Sequence, residues 1–202
     1  MQRLLDVLAS GIHDTKNQLF VAESLIAARE AEHHIDLGEA RYAIEAAAQR
    51  LSRTLAAYHL FRHGAHIAIV PTILADLCAE IRLAQHAHLA SRGITLNVDC
   101  PVLDAWLLDR DLVGDMLGNA VQNAGRFARS QVRLSAVETD AGLLLRVDDD
   151  GPGFRSIPPR SGTGLMVAER LAQLHARGER HGALRLSNDS ALGGARFELL
   201  IP

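Results

Sequence analysis

The sequence predicts two folds in series: an all-α helical hairpin suited to pairing as a dimeric four-helix bundle, then an α+β sandwich. Three observations carry this. Apolar residues recur in steps of three and four at Leu5, Leu8, Ile12, Thr15, Leu19, Ala22 and Ile26, and again at Ile44, Ala47, Leu51, Thr54 or Leu55, Tyr58 and Phe61. Beyond Arg62-His63-Gly64 short β-rich runs alternate with helical ones. The chain then closes on two strand-like runs, which favours an α+β layer over a doubly wound parallel sheet.

The first stripe is heptad-like and predicts a long helix to about His33, with Thr15 its one weak member. His34-Ile35-Asp36-Leu37-Gly38 interrupts it, so the second stripe returns antiparallel to the first. One hairpin has little to bury its seam against, and a second copy supplies the missing surface. Domains are therefore expected at residues 1–64 and 65–202. In the second, a strand is expected at 67–70, a helix opened by Pro71 and ended by Gly93, and strands at 94–99 and 105–108. A helix over about 109–128 follows, then strands at 132–138 and 143–148 that turn around Asp140-Ala141-Gly142. A Gly/Pro-rich loop over 149–164, a helix over about 165–176 and strands near 183–186 and 195–201 complete the chain.

Composition excludes several classes. The 202 residues are 48% hydrophobic with a formal net charge of -3, and the charges are scattered, so no basic stripe offers a nucleic-acid surface. No apolar run approaches the roughly 20 residues that span a bilayer. Arg3 and Asp6 interrupt the apolar start, unlike a signal peptide. The two cysteines, Cys78 and Cys100, have no metal-ligand spacing and suggest no disulfide framework, which fits a cytoplasmic protein. His33 and His34 lack nearby acidic or cysteine partners and read as solvated.

Four constellations carry chemistry. The first is His13-Asp14-Thr15-Lys16-Asn17, where His13 points away from the seam and Asn17 shares its face at i+4. An imidazole on a rigid helix can attack a phosphoryl group through one ring nitrogen while a carboxylate such as Asp14 fixes the tautomer. Alone, these five polar residues read as a solvated helix face. The second, Asn119 to Phe127, sets the amides of Asn119 and Asn123 on one face of an otherwise apolar helix, with Arg126 one turn on. An amide oxygen is a hard ligand suited to Mg²⁺, and arginine suits a phosphate. The third is Asp148-Asp149-Asp150-Gly151-Pro152-Gly153 at a strand end. A carboxylate there can accept the exocyclic amine of adenine while the glycines let the backbone approach the ring. The fourth, Ser161-Gly162-Thr163-Gly164-Leu165, opens a helix whose free N–H groups suit phosphates.

In this order these motifs resemble the histidine kinases of bacterial two-component systems: His13–Leu19 the H box, Asn119–Phe127 the N box, Asp149–Gly153 the G1 box and Gly162–Leu165 the G2 box. Gly193-Gly194-Ala195-Arg196-Phe197 is similar to the last strand of that family's ATP-binding domain. The resemblance implies a dimerisation and histidine-phosphotransfer domain followed by a GHKL (Bergerat-type) ATP-binding domain. It makes His13 the phospho-acceptor, Asp14 its base, Asn123 the Mg²⁺ ligand, Asn119 and Arg126 neighbours of the phosphates, and Asp149 the adenine acceptor, with Gly151, Gly153, Gly162 and Gly164 shaping the nucleotide site. ATP and Mg²⁺ are then the cofactors, and a response-regulator receiver domain the partner that takes the phosphoryl group on an aspartate. Asn17 matches the polar residue with which many members orient water to dephosphorylate that regulator.

Three departures stand out: Met166 where a second glycine is usual, a short loop from Phe154 to Ser161, and Gln18 where proline is usual. Gln18 lets the first helix kink less near His13, while Met166 and the short loop favour the alternative of an ATP-independent histidine phosphotransferase; Asn119, Asn123, Arg126 and Asp149 argue for the kinase. A third reading, a GHKL serine kinase, has no use for the hairpin. No sensor precedes the first helix, so the expectation is either a chain cut from a longer protein or regulation by a separate sensor protein.

Overall fold

The structure, a computed structural model, describes residues 2–35, 37, 38, 40, 41, 43, 44, 47, 48, 51, 67–157 and 163–202. The chain divides into two compact units, Met1–Arg62 and His63–Pro202. In the first, α1 runs over Gln2–His33. It ends where His34 takes a left-handed backbone at φ 53°, a conformation that stops a helix. The described residues among 38–51 are all helical. Arg41 returns to α1: its Nε donates to Glu23 Oε1 at 3.0 Å and its Nη1 to Glu30 Oε2 at 3.0 Å. The Leu37 N–H caps the arrangement by donating to Glu30 Oε1 at 2.7 Å. Glu23 is only 1% exposed, and the Arg41 charge offsets part of the cost of burying its carboxylate. Most of the second stripe, including Thr54, Leu55, Tyr58 and Phe61, lies outside the described residues.

The second unit is a mixed sheet covered by helices. Its elements are β1 (Ile69–Thr72), α2 (Leu74–Ala90), β2 (Thr95–Asp99), β3 (Trp106–Asp109), α3 (Arg110–Phe127), β4 (Gln131–Thr139), β5 (Gly142–Asp149), α4 (Thr163–Leu174), β6 (Ala176–Arg177), β7 (Arg180–His181), β8 (Ala183–Ser187) and β9 (Arg196–Ile201). Five strands lie in the order β2-β4-β5-β9-β8. Only β2 and β4 pair in parallel. Strand alternation puts Leu143, Leu145, Val147 and Asp149 on one face of β5, beside Val132, Leu134 and Ala136 of β4 and Leu199 and Ile201 of β9. All of these are buried, and α3 brings Leu112, Val113, Met116, Leu117, Ala120 and Val121 to the core. The opposite face is mixed: Arg146 donates to Glu198 across β5 and β9 at 2.7 Å, and Val137, Leu144 and Leu200 lie in one row.

Two expectations need correction. Pro71 does not open a helix: it lies inside β1, opposite Leu107 of β3, and α2 starts at Leu74. A two-stranded ladder tolerates proline because an edge position has no second partner to donate to. The β6–β7 hairpin, two residues a side around Gly178 at φ 65°, was not expected at all.

Candidate functional site

Asp149 is the last residue of β5, not the first of a loop, and strand periodicity turns it toward the helix-covered face. That leaves the residue only 4% exposed. Its Oδ1 accepts the N–H of Gly151 at 2.8 Å and that of Ala195 at 3.1 Å. Its own N–H donates to the Ala195 carbonyl at 3.0 Å, and its carbonyl accepts the Gly194 N–H at 3.0 Å and the Ser190 hydroxyl at 2.7 Å. No described residue donates to Oδ2. One oxygen is locked by the backbone and the other remains for a donor. Burial pushes this carboxyl above its ordinary range, assisted by the charges of Asp150 and Asp148 and opposed by the Ala195 and Gly151 N–H groups.

The other two acids of the run do different work. Asp148 points to the opposite face, where Arg196 Nε donates to it at 2.8 Å. Asp150 accepts the Arg129 N–H at 2.7 Å, the Ser130 N–H at 3.0 Å and the Ser130 hydroxyl at 2.6 Å. Burial opposes its charge, but the Ser130 and Arg129 bonds outweigh that and hold the carboxyl at about 2. Asp150 thereby ties the Asp149–Gly153 turn to the end of α3. Gly151 reinforces the tie, since a Cβ there would collide with the Phe127 carbonyl.

This junction brings the predicted N box beside the predicted G1 box. Asn119 is half-buried and Asn123 exposed on α3, and the Arg126 guanidinium lies 5.6 Å from the Phe127 ring centroid. Gly153 adopts φ 76° as the chain leaves the turn. Gly164 is the second residue of α4, while Gly162 lies outside the described residues. In the other unit, His13 sits on the described backbone of α1 with its side chain outside the described set, and Asp14 and Asn17 are exposed on the same helix.

Sequence reasoning missed the cradle made by Ser190, Gly194 and Ala195, which lie some forty residues beyond Asp149. It also missed His175, buried at 2%. The His175 Nε2 accepts the Asp109 N–H at 3.1 Å, so its proton sits on Nδ1, facing the Leu171 carbonyl at 3.3 Å. Asp109 caps α3 by accepting the Leu112 N–H at 3.1 Å and holds the Ala68 N–H at 2.9 Å. His175 thus joins the end of α4 to the start of α3. Burial lowers its affinity for a proton, against the Leu171 bond and the Asp109 charge. The unfolded chain therefore binds the proton first, and this contribution is complete above an ordinary histidine value and lost as pH falls below it. Thermal midpoints should drop as pH falls below the ordinary histidine value of 6.5, and His175→Gln should flatten that slope. A variant with an unchanged slope would remove His175 from the account.

No protein-family model matches the chain. Among curated proteins it is 31% identical to the sensor protein kinase CarS of Pseudomonas aeruginosa, over the whole chain and 47% of CarS. It is 23% identical to the sensor protein PhoQ of Escherichia coli O157:H7, over 93% of the chain and 41% of PhoQ. The chain thus spans somewhat under half the length of these relatives. The fold is shared with full-length ShkA in complex with AMPPNP, at TM-score 0.61 and 20% identity over 99% of this chain and 45% of ShkA. It is also shared with the histidine kinase AdeS of Acinetobacter baumannii, at TM-score 0.62 and 14% identity over 90% of this chain and 94% of that one. The catalytic domain of the histidine kinase ThkA matches at TM-score 0.58 and 18% identity, over 67% of this chain and 97% of that domain. Whole-chain sequence similarity and fold agree: the chain is similar to the catalytic core of sensor histidine kinases.

Proposed function

We propose that the chain is an ATP-dependent histidine autokinase that phosphorylates His13 and passes the phosphoryl group to an aspartate of a response-regulator receiver domain. The observation that carries this is the Asp149 carboxylate, held through Oδ1 by Gly151 and Ala195 with Oδ2 left to accept a donor such as the adenine amine. Residues 65–202 are the nucleotide-binding domain in this reading, and 1–64 the dimerisation and phosphotransfer domain. The AMPPNP bound by ShkA supports the choice of nucleotide.

The residues divide the work. Asn123, with a hard amide oxygen on an exposed face of α3, is the Mg²⁺ ligand; Asn119, Arg126, Gly162 and Gly164 serve the phosphates. Mg²⁺, when bound, offsets phosphate charge. A His13 ring nitrogen forms the new N–P bond as the β-phosphate oxygen leaves with ADP, and Asp14 holds the proton of the other nitrogen. Asn17, one helical turn on, orients water for dephosphorylation of the regulator. Asn17→Ala should lower regulator phosphatase activity and spare autophosphorylation; equal loss of both would remove that role.

The test is incubation with γ-labelled ATP and Mg²⁺. Wild type should take up acid-labile, base-stable label, and His13→Ala none. Label that persists in His13→Ala overturns the assignment. Failure of wild type to take up label, with phosphotransfer from a phosphorylated receiver intact, would instead identify an ATP-independent relay.

A further inference from the structure

We propose that Asn188 is a positioning residue of the nucleotide site, fixing the backbone where the chain leaves the Asp149–Gly153 turn; this rests on the nucleotide reading above. Asn188 follows β8, far from the turn in sequence, yet its side-chain amide pairs with a single backbone unit. The Phe154 N–H donates to Asn188 Oδ1 at 2.7 Å, and Asn188 Nδ2 donates to the Phe154 carbonyl at 3.0 Å. The amide serves Phe154 as a neighbouring strand would, satisfying donor and acceptor together.

The preceding residue is built for this contact. A Cβ on Gly153 would lie 2.7 Å from Asn188 Oδ1 and 2.9 Å from Cγ, so a side chain there would push the amide away. Asp150 holds one end of the turn against α3, and Asn188 holds the other against the β8–β9 connection. Asp149, whose Oδ2 takes no donor among the described residues, immediately precedes the first of these anchors. Aspartate at 188 could accept from Phe154 but has no donor for its carbonyl, so the two halves of the clasp are separable.

With both anchors in place the turn is set before nucleotide arrives; without Asn188, binding must order it. Asn188→Ala should raise the KM for ATP about tenfold and leave kcat within about twofold, with Asn188→Asp between it and wild type. Trypsin adds a readout independent of ATP. Arg155 is exposed directly after the clasped residue, and cleavage there should be faster in Asn188→Ala than in wild type at an unchanged thermal midpoint. Equal KM and equal cleavage in wild type and Asn188→Ala overturn the proposal while wild type still binds ATP. A parallel loss of kcat and thermal midpoint overturns it in favour of a merely structural role. Wild type with no ATP affinity overturns the nucleotide reading itself, and the role of Asn188 in that site with it.

Discussion

Asp149→Asn is expected to lose ATP affinity while keeping the fold, and Asp149→Ala to lose both affinity and stability. Asparagine retains an oxygen for the Gly151 and Ala195 N–H groups, which now lie 2.8 and 3.1 Å from Oδ1. At the other position it places an amide donor where the adenine amine also donates. One charge-assisted hydrogen bond is replaced by a clash of donors, so affinity should fall at least about 10- to 100-fold. Removing the carboxylate also removes a charge that burial and the neighbouring acids disfavour. Because the folded-state carboxyl is raised, wild-type stability declines as pH climbs through that value; the asparagine variant escapes the decline and should melt no lower than wild type at pH 7.5. Alanine leaves two buried N–H groups unpaired, at about 1–3 kcal/mol each. Calorimetric titration and thermal melts on both variants check the pair of outcomes.

Gly194→Ala should disrupt the same cradle from the other side. A Cβ at that position would collide with Asp149 Oδ1 and lie 2.5 Å from the Asp149 carbonyl oxygen and 2.6 Å from the Gly151 nitrogen. Two of those three neighbours are backbone, fixed in or beside β5, so relief requires β5 and β9 to part. Overpacking of this kind costs about 1–3 kcal/mol, and it moves the carboxylate as well. Gly118→Ala is the control: nothing lies within 4 Å of a Cβ there, and the site is inside α3. Alanine should leave stability unchanged or raise it by about 0.5–1 kcal/mol. Thermal unfolding and ATP affinity should both fall for the Gly194 variant and hold for Gly118.

Legibility in the sequence followed the range of the forces. The helix predicted over about 109–128 is α3 at Arg110–Phe127, because apolar spacing and the Asp109 cap are local signals. The strands around Asp140-Ala141-Gly142 are β4 and β5 for the same reason. Asp149 was visible as a candidate through its motif, and the alternation Leu143, Leu145, Val147, Asp149 contained the reason it is buried. Gly194, Ala195 and Asn188 were not visible as site residues, since their contacts with 149–154 exist only once β9 lies beside β5. Glu23 shows the same limit: a charged residue reads as solvent-facing until Arg41, 18 residues later, folds back upon it. Pro71 fits a helix start and an edge strand equally well by local rules, and the pairing with Leu107 of β3 decides between them. The β6–β7 hairpin is exposed along both strands, so no apolar alternation announces it.

The most direct measurement compares binding of ATP and of inosine triphosphate to the wild-type chain with Mg²⁺. The two differ at the purine position where adenine carries an amine and hypoxanthine a carbonyl oxygen, which would face the unbonded Asp149 oxygen with a second acceptor. The account predicts ATP binding that is at least about tenfold tighter, with the preference reversed toward inosine triphosphate in Asp149→Asn, whose amide can donate to the hypoxanthine oxygen. Equal affinity for the two nucleotides in wild type would contradict it.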